Sequence, residues 1–313
     1  LLIFNHLLVV FQQGAQISRL AFDFVMLKGL DDMLLRYMKR DRLEIKLSAS
    51  FIAGNHPMKK IILLWLSGLI LMTNMSYADS QFKLLVLAIP NKYHYEYIPV
   101  ARDSLENLAK LHAFEFTWTN KVQVFEGDLS QYAAVIFLNT PGEELNEAQR
   151  KKFEDYMRAG GNAVVVHRAI ITPPNVWPWY EQMVGRSFKI HPIVQTAVVN
   201  TVDKKFPATF GIPERWIWSD EWYEFTNPHN VKINPVLNVD ESSYDPTKIW
   251  PGQVATGMGK NHPVSWYHQH EQGRVFVTAL GHNVEMYKDP HYLSHLLGGI
   301  YWAATGKGIS NEK

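Results

Sequence analysis

Unbroken apolar runs alternate with stretches of helical spacing through the middle of the chain. Phe82–Ile89 (FKLLVLAI) is nearly continuous, the pattern of a strand buried on both faces. Ile98, Ala101, Leu105, Leu108 and Leu111 then recur at helical spacing, Phe114–Thr119 reads as a second strand, and Ala133–Leu138 as a third. Asn146, with Gln149 three residues on, predicts a capping box opening a helix to about Arg158, which Gly160-Gly161 stop. Asn162–Val166 is a fourth buried strand. This β-α-β-α-β order predicts a parallel sheet with helices on both faces. After His167 the runs shorten and Pro, Trp and Gly become frequent, as in an antiparallel excursion. Val194–Val202 and Val236–Val239 read as its strands, Val264–His268 and Arg274–Leu280 as a hairpin, and Asp289-Pro290 opens a last helix.

Residues 1–57 show no clean period and read as an upstream extension outside the native protein. Met58-Lys59-Lys60, the apolar run Ile61–Met72 and Ser76-Tyr77-Ala78 have the three regions of a secretory signal peptide, 58–78, cut before Asp79. As a helix that run spans about 18 Å, short of the roughly 30 Å hydrocarbon core, so no stable membrane insertion is expected after cleavage. Residues 79–313 then form one domain, periplasmic or secreted.

Of 313 residues, 47% are hydrophobic and 19% charged, with a net charge of +1, so no electrostatic case exists for nucleic acid. The absence of cysteine removes disulfides, thiolate zinc sites and a cysteine nucleophile. Ten Trp residues suit a small carbohydrate partner, because an aromatic ring pairs a flat apolar face with a polar tip. A homo-oligomer is left open.

In an open α/β sheet, ligands bind beyond the carboxyl ends of the strands. That rule selects Pro90–Glu96, Asn139–Gly142 and His167-Arg168-Ala169. His167 takes the place of the nucleophile in a strand-to-helix elbow, where an imidazole serves as acid/base or metal ligand. His191, the pair Asp220-Glu221 beside Trp222, His262 and His282 complete the candidates. His268 and His270 share a strand face but sit near a hairpin tip, where a solvated pair is expected.

Taken in order, Tyr93-His94, Ala159-Gly160-Gly161, Val166-His167, Trp177-Pro178-Trp179-Tyr180, His191-Pro192, Asp220-Glu221-Trp222-Tyr223, His262-Pro263-Val264-Ser265-Trp266, Leu280-Gly281-His282 and Leu297-Gly298-Gly299-Ile300 resemble the ThuA-like, or trehalose-utilisation, family. The resemblance covers 82–305. It implies a flavodoxin-like core similar to the class I glutamine amidotransferase fold, without that fold's cysteine and so without glutaminase activity, and a place in carbohydrate metabolism. Arg168 departs from the small residue usual after the histidine, and is expected to narrow the pocket or bind an anionic group.

The expected function is an exported enzyme acting on a disaccharide, glycoside or keto-sugar as hydrolase, lyase or isomerase. Its catalytic residues are His167, Glu221, Asp220 and His282. Its substrate contacts are His94, Arg168, Trp179, Tyr180, His191, Trp222 and His262. Two versions are open. In one, His94, His167, His191 and His282 supply ligands to a zinc-like divalent metal. In the other, which is preferred, no cofactor is needed and Glu221 is the general base, its pKa raised by Trp222. The alternative is a non-catalytic glycan-binding module, in which the aromatic residues line an open groove and the histidines scatter.

Overall fold

The computed structural model describes residues 80–173 and 175–307. The expected signal peptide, 58–78, and the expected upstream extension, 1–57, lie outside the described residues.

Nine strands form one mixed sheet: β1 Lys83–Leu87, β2 Glu115–Thr119, β3 Ala134–Leu138, β4 Ala163–Val166, β6 Gln195–Thr201, β7 Arg215–Asp220, β9 Asn234–Asp240, β10 Pro263–His270 and β11 Gly273–Thr278. Their order is β2-β1-β3-β4-β11-β10-β9-β6-β7. Strands β5 Ser187–Ile190 and β8 Glu224–Thr226 make a separate antiparallel pair. The pairs among β2, β1, β3, β4 and β11 are parallel, and those among β11, β10, β9, β6 and β7 antiparallel. This is the α/β class with its antiparallel excursion. Following the directions, β1, β3, β4, β11, β9 and β7 all finish at one edge of the sheet.

Helices α1 Tyr97–Leu111 and α4 Pro290–Thr305 cover one face; α2 Glu147–Arg158 and α3 Pro178–Val184 cover the other. On the first face Ile98 and Leu105 of α1 and Leu296 and Ile300 of α4 pack on Val86, Ile136 and Val164. On the second, Phe153 and Met157 of α2 and Met183 of α3 pack on Leu87, Phe137 and Val165. Burial of both faces explains why these strands read as continuous apolar runs. The capping box forms, with Asn146 Oδ1 accepting Gln149 N–H and Gln149 Oε1 accepting Asn146 N–H. Asp289 caps α4 by accepting the N–H groups of His291 and Tyr292. Leu111, placed on the inner side of α1 by its spacing, is exposed where the helix ends. No described helix is long and apolar enough to cross a membrane.

Helix α4 lies close enough to the Pro207–Thr209 turn that a Cβ on Gly298 would stand 2.2 Å from the Pro207 carbonyl oxygen. Gly298→Ala is therefore expected to cost about 1–3 kcal/mol by overpacking. Urea unfolding at neutral pH measures it.

His295, wholly buried on α4, donates Nδ1–H to the Ala208 carbonyl and meets Thr278 Oγ1 with Nε2. Burial holds its pKa down at about 4. The folded state thus refuses a proton that the unfolded chain binds below about pH 6.5. Stability is complete above that pH and is expected to fall as pH drops towards 4, by up to about 3 kcal/mol from this residue. Urea midpoints at pH 7 and pH 4.5 test this, with His295→Gln losing that share of the slope.

Candidate active site

The elements place four side chains over one point. His94 follows β1, His167 follows β4, Glu221 follows β7 and His282 follows β11, all strands that finish at the same edge. Each offers one ligand atom, and these atoms lie within 4.8 Å of one another. The His94 ring centroid is 5.1 Å from that of His167 and 5.2 Å from that of His282. Glu221 Oε2 is 3.4 Å from His167 Nε2 and 3.3 Å from His282 Nδ1. His191, which follows β5, brings Nε2 to 3.8 Å from Glu221 Oε1.

Local backbone geometry delivers these groups. His167 has a φ of 54°, in the left-handed region that a side chain other than glycine or asparagine rarely occupies, so the chain turns sharply at the end of β4. Beside it Gly281 has a φ of 136°, and a Cβ there would lie 2.9 Å from Tyr292 Oη and 3.2 Å from His167 Cβ. Only glycine lets the His282 loop approach His167 so closely.

Hydrogen bonds fix the tautomers. Asn91 Oδ1 accepts the N–H of Tyr93, which marks it as the oxygen, and His94 Nδ1 lies 3.2 Å from the same atom. His94 therefore donates from Nδ1, and its buried Nε2 has no partner among the described residues. His167 Nδ1–H donates to the Ala279 carbonyl at 2.8 Å, and His191 Nδ1–H to that of Pro192 at 2.8 Å. In all three, the tether turns the Nε2 lone pair inward, the arrangement that outer hydrogen bonds impose on metal-binding histidines.

Burial, reinforced by His167, lowers the His94 pKa to about 3. Burial also lowers that of His191. Burial alone would raise Glu221, but the His167 and His282 rings beside it outweigh that and hold the carboxyl far below its usual range. For His282 burial pulls down, and the adjacent Glu221 carboxylate prevails and raises the pKa. The expected raised Glu221 is thus corrected. Trp222 does not desolvate it as supposed, because its indole is buried against Tyr244 and donates to the Gln195 carbonyl.

Other expected contacts lie elsewhere. Asp220 is fully buried, accepts the N–H groups of Glu221 and Gly281, and has its pKa raised to about 6 by burial. It positions Glu221 and the His282 loop and faces no open space. His262 is buried, with Nδ1 on Glu241 and Nε2 on the Tyr223 carbonyl, so neither nitrogen is left for a substrate. Tyr180 is in the core and donates to the Ala169 carbonyl. Trp179 donates to Glu271 in the β10–β11 turn, at the opposite edge of the sheet. Arg168 faces Glu143 at 3.9 Å. His268, expected in solvent, is buried beneath Gly185.

Tyr223 was not among the expected site residues, and Asn139 was reached only as part of the stretch that follows β3. Tyr223 Oη lies 3.2 Å from His167 Nε2 and 3.4 Å from Glu221 Oε2, and burial raises its pKa well above the usual value, so it stays a protonated donor. The period of two in an extended segment, which puts Glu221 and Tyr223 on one side and Trp222 on the other, was the signal. Asn139 ends β3, the strand between β1 and β4, with a φ of 56° and a buried amide that has no partner among the described residues. No sequence pattern marks an unpaired amide.

A cavity of about 390 Å³ includes two of the histidines in its lining, which is made by Tyr93, His94, Glu96 and Tyr97 together with His282–Glu285.

A mixed α/β sheet with a histidine–carboxylate cluster beyond its strand ends defines the class. The trehalose-utilisation model, ThuA, matches residues 83–303, and the chain belongs to that family. A ThuA-like protein from Bacteroides uniformis has 22% identity and a TM-score of 0.62, over 74% of this chain and 94% of its own. One from Parabacteroides merdae has 21% identity and a TM-score of 0.59, over 74% and 92%. These likenesses establish the shared fold. No curated protein matches the sequence.

Proposed function

We propose that this protein is an exported, metal-dependent enzyme acting on a disaccharide, glycoside or keto-sugar. The observation that carries the reading is the convergence of imidazole lone pairs on an ionised carboxylate. With Nδ1 of His94 and His167 already donating outward, their Nε2 atoms and Glu221 are all acceptors, and acceptors repel unless a cation or proton lies between them. An orphaned, buried Nε2 on His94 supports a metal over a proton, since burial opposes protonating that ring.

His94, His167, His282 and Glu221 are the holding set, and three nitrogens with one oxygen suit a zinc-like ion. When bound, such an ion activates water or polarises a carbonyl. Tyr223 keeps its proton and donates it in a hydrogen bond to Glu221, steadying the carboxylate. His191, outside the set and kept neutral by burial, accepts a proton at Nε2. Export rests on the pattern of 58–78, and carbohydrate as substrate on the family and on the cavity beside the histidines.

The test is one experiment in two parts. Metal analysis of the protein started from Asp79 is expected to find one divalent ion per chain. A panel of disaccharides, glycosides and keto-sugars is expected to yield turnover that chelation abolishes. Full turnover by metal-free protein would refute the metal reading.

A further inference from the structure

The loop between β9 and β10 brings one aromatic ring to the site. Among the described residues Trp250 is the one exposed tryptophan, at 45%. Its ring centroid lies 5.2 Å from that of His191. The two rings meet at 88°, so one turns its edge to the other, and at least one face of the indole is left uncovered by His191. The sequence fixes this placement locally. Trp250-Pro251-Gly252-Gln253 has the residue order of a type II turn, with Pro second and Gly third. Gly252 has a φ of 82°, and the Trp250 carbonyl accepts Gln253 N–H at 3.2 Å. The loop is tied down on both sides of that turn. Before it, the Lys248 carbonyl accepts Ile193 N–H at 3.0 Å and the Asp245 carbonyl accepts the Gln195 amide at 2.8 Å. After it, the buried Glu224 carboxylate accepts the N–H groups of Thr256 at 2.9 Å and Gly257 at 2.6 Å.

Trp250 stands apart from the cavity. His94 and His282 line that cavity, and neither His191 nor Trp250 does. The Glu221 carboxylate joins the two places: Oε2 lies beside His167 and His282, and Oε1 beside His191. A molecule that reaches the cavity and the indole together must therefore have two parts. A rigidly held ring with a free face takes the flat apolar side of a sugar or an aromatic group. We infer that Trp250 is the platform of a second substrate position beyond His191, and that the substrate has two rings, as in a disaccharide or an aryl glycoside, rather than one, as in a free keto-sugar. The inference rests on the proposed sugar-active site and narrows its substrate class.

The experiment sets two-ring members of the panel, trehalose and the nitrophenyl glucosides, against one-ring members, the methyl glucosides and fructose. Zinc-loaded wild-type protein is expected to turn over a two-ring member with a kcat/KM at least about tenfold above that of any one-ring member. Trp250→Ala is expected to raise KM for that member about tenfold with kcat nearly unchanged, and Trp250→Phe to recover most of the loss. Zinc affinity, melting temperature and the pH profile of kcat should stay at wild-type values in both variants. Those readouts separate lost stacking from misfolding and from a disturbed His191. A KM unchanged by Trp250→Ala, a one-ring member as the best substrate, or a loss confined to kcat with a shifted pH profile overturns the inference while leaving the enzyme reading intact. No turnover of either kind by zinc-loaded wild type overturns both.

Discussion

Replacing His167 by glutamine is expected to weaken zinc binding by at least about 100-fold and to abolish turnover, since one of the four proposed ligands is lost. His167 supplies an inward Nε2 only because Ala279 holds its Nδ1–H at 2.8 Å. Glutamine fills much of the same space and keeps a donor for that carbonyl, so the fold should persist. Thermal unfolding with and without metal reads the difference. At free zinc 100 times the dissociation constant, the wild-type protein gains about 2.7 kcal/mol, and the variant should gain almost nothing. Equal zinc stabilisation of both proteins would remove His167 from the ligand set.

Asp220→Ala is expected to produce the second large effect, on stability and site together. One carboxylate accepts Glu221 N–H at 2.8 Å, partly buried, and Gly281 N–H at 3.0 Å, fully buried. Alanine strands one buried donor and one partly buried donor, at about 2–4 kcal/mol in total. It also frees the backbone beneath Glu221 and His282, so zinc affinity should fall by about 10–100-fold although no ligand is removed. Urea unfolding and zinc titration measure the two losses. Asp220→Asn, which keeps one acceptor oxygen, should recover part of each.

Much of the architecture was readable from local pattern. The runs at Leu84–Leu87, Ala134–Leu138 and Ala163–Val166 are apolar because helices cover both faces of those strands, and Asn146 with Gln149 announces α2 by hydrogen bonds three residues apart. The edge strand β7 was harder to see, with Trp216 buried and Ile217 exposed; its aromatic content looked like packing alone. Strand order was beyond local pattern, because β11 reaches β4 by a pairing more than a hundred residues distant. The rule of carboxyl strand ends selected the stretches holding His94, Asn139 and His167 from element order. It could not tell Asp220 from Glu221, whose roles depend on which neighbour turns inward. Nor could residue type alone exclude His262, Trp179 or Tyr180, since a partner's carbonyl or an edge of the sheet is a property of the folded chain.

The seat of β11 between β4 and β10 has a consequence for biogenesis. As the chain leaves the ribosome, β1 to β4 can assemble early, but β4 then presents an unsatisfied border until residue 278 emerges. Among the described residues β11 is the second half's sole sheet pairing to the first, so that half cannot dock without it. Such a border is a template for pairing with other nascent chains. Chaperone dependence is therefore expected to concentrate on synthesis of the last third of the polypeptide, and ribosome-bound chains ending before β11 should be the ones that aggregate.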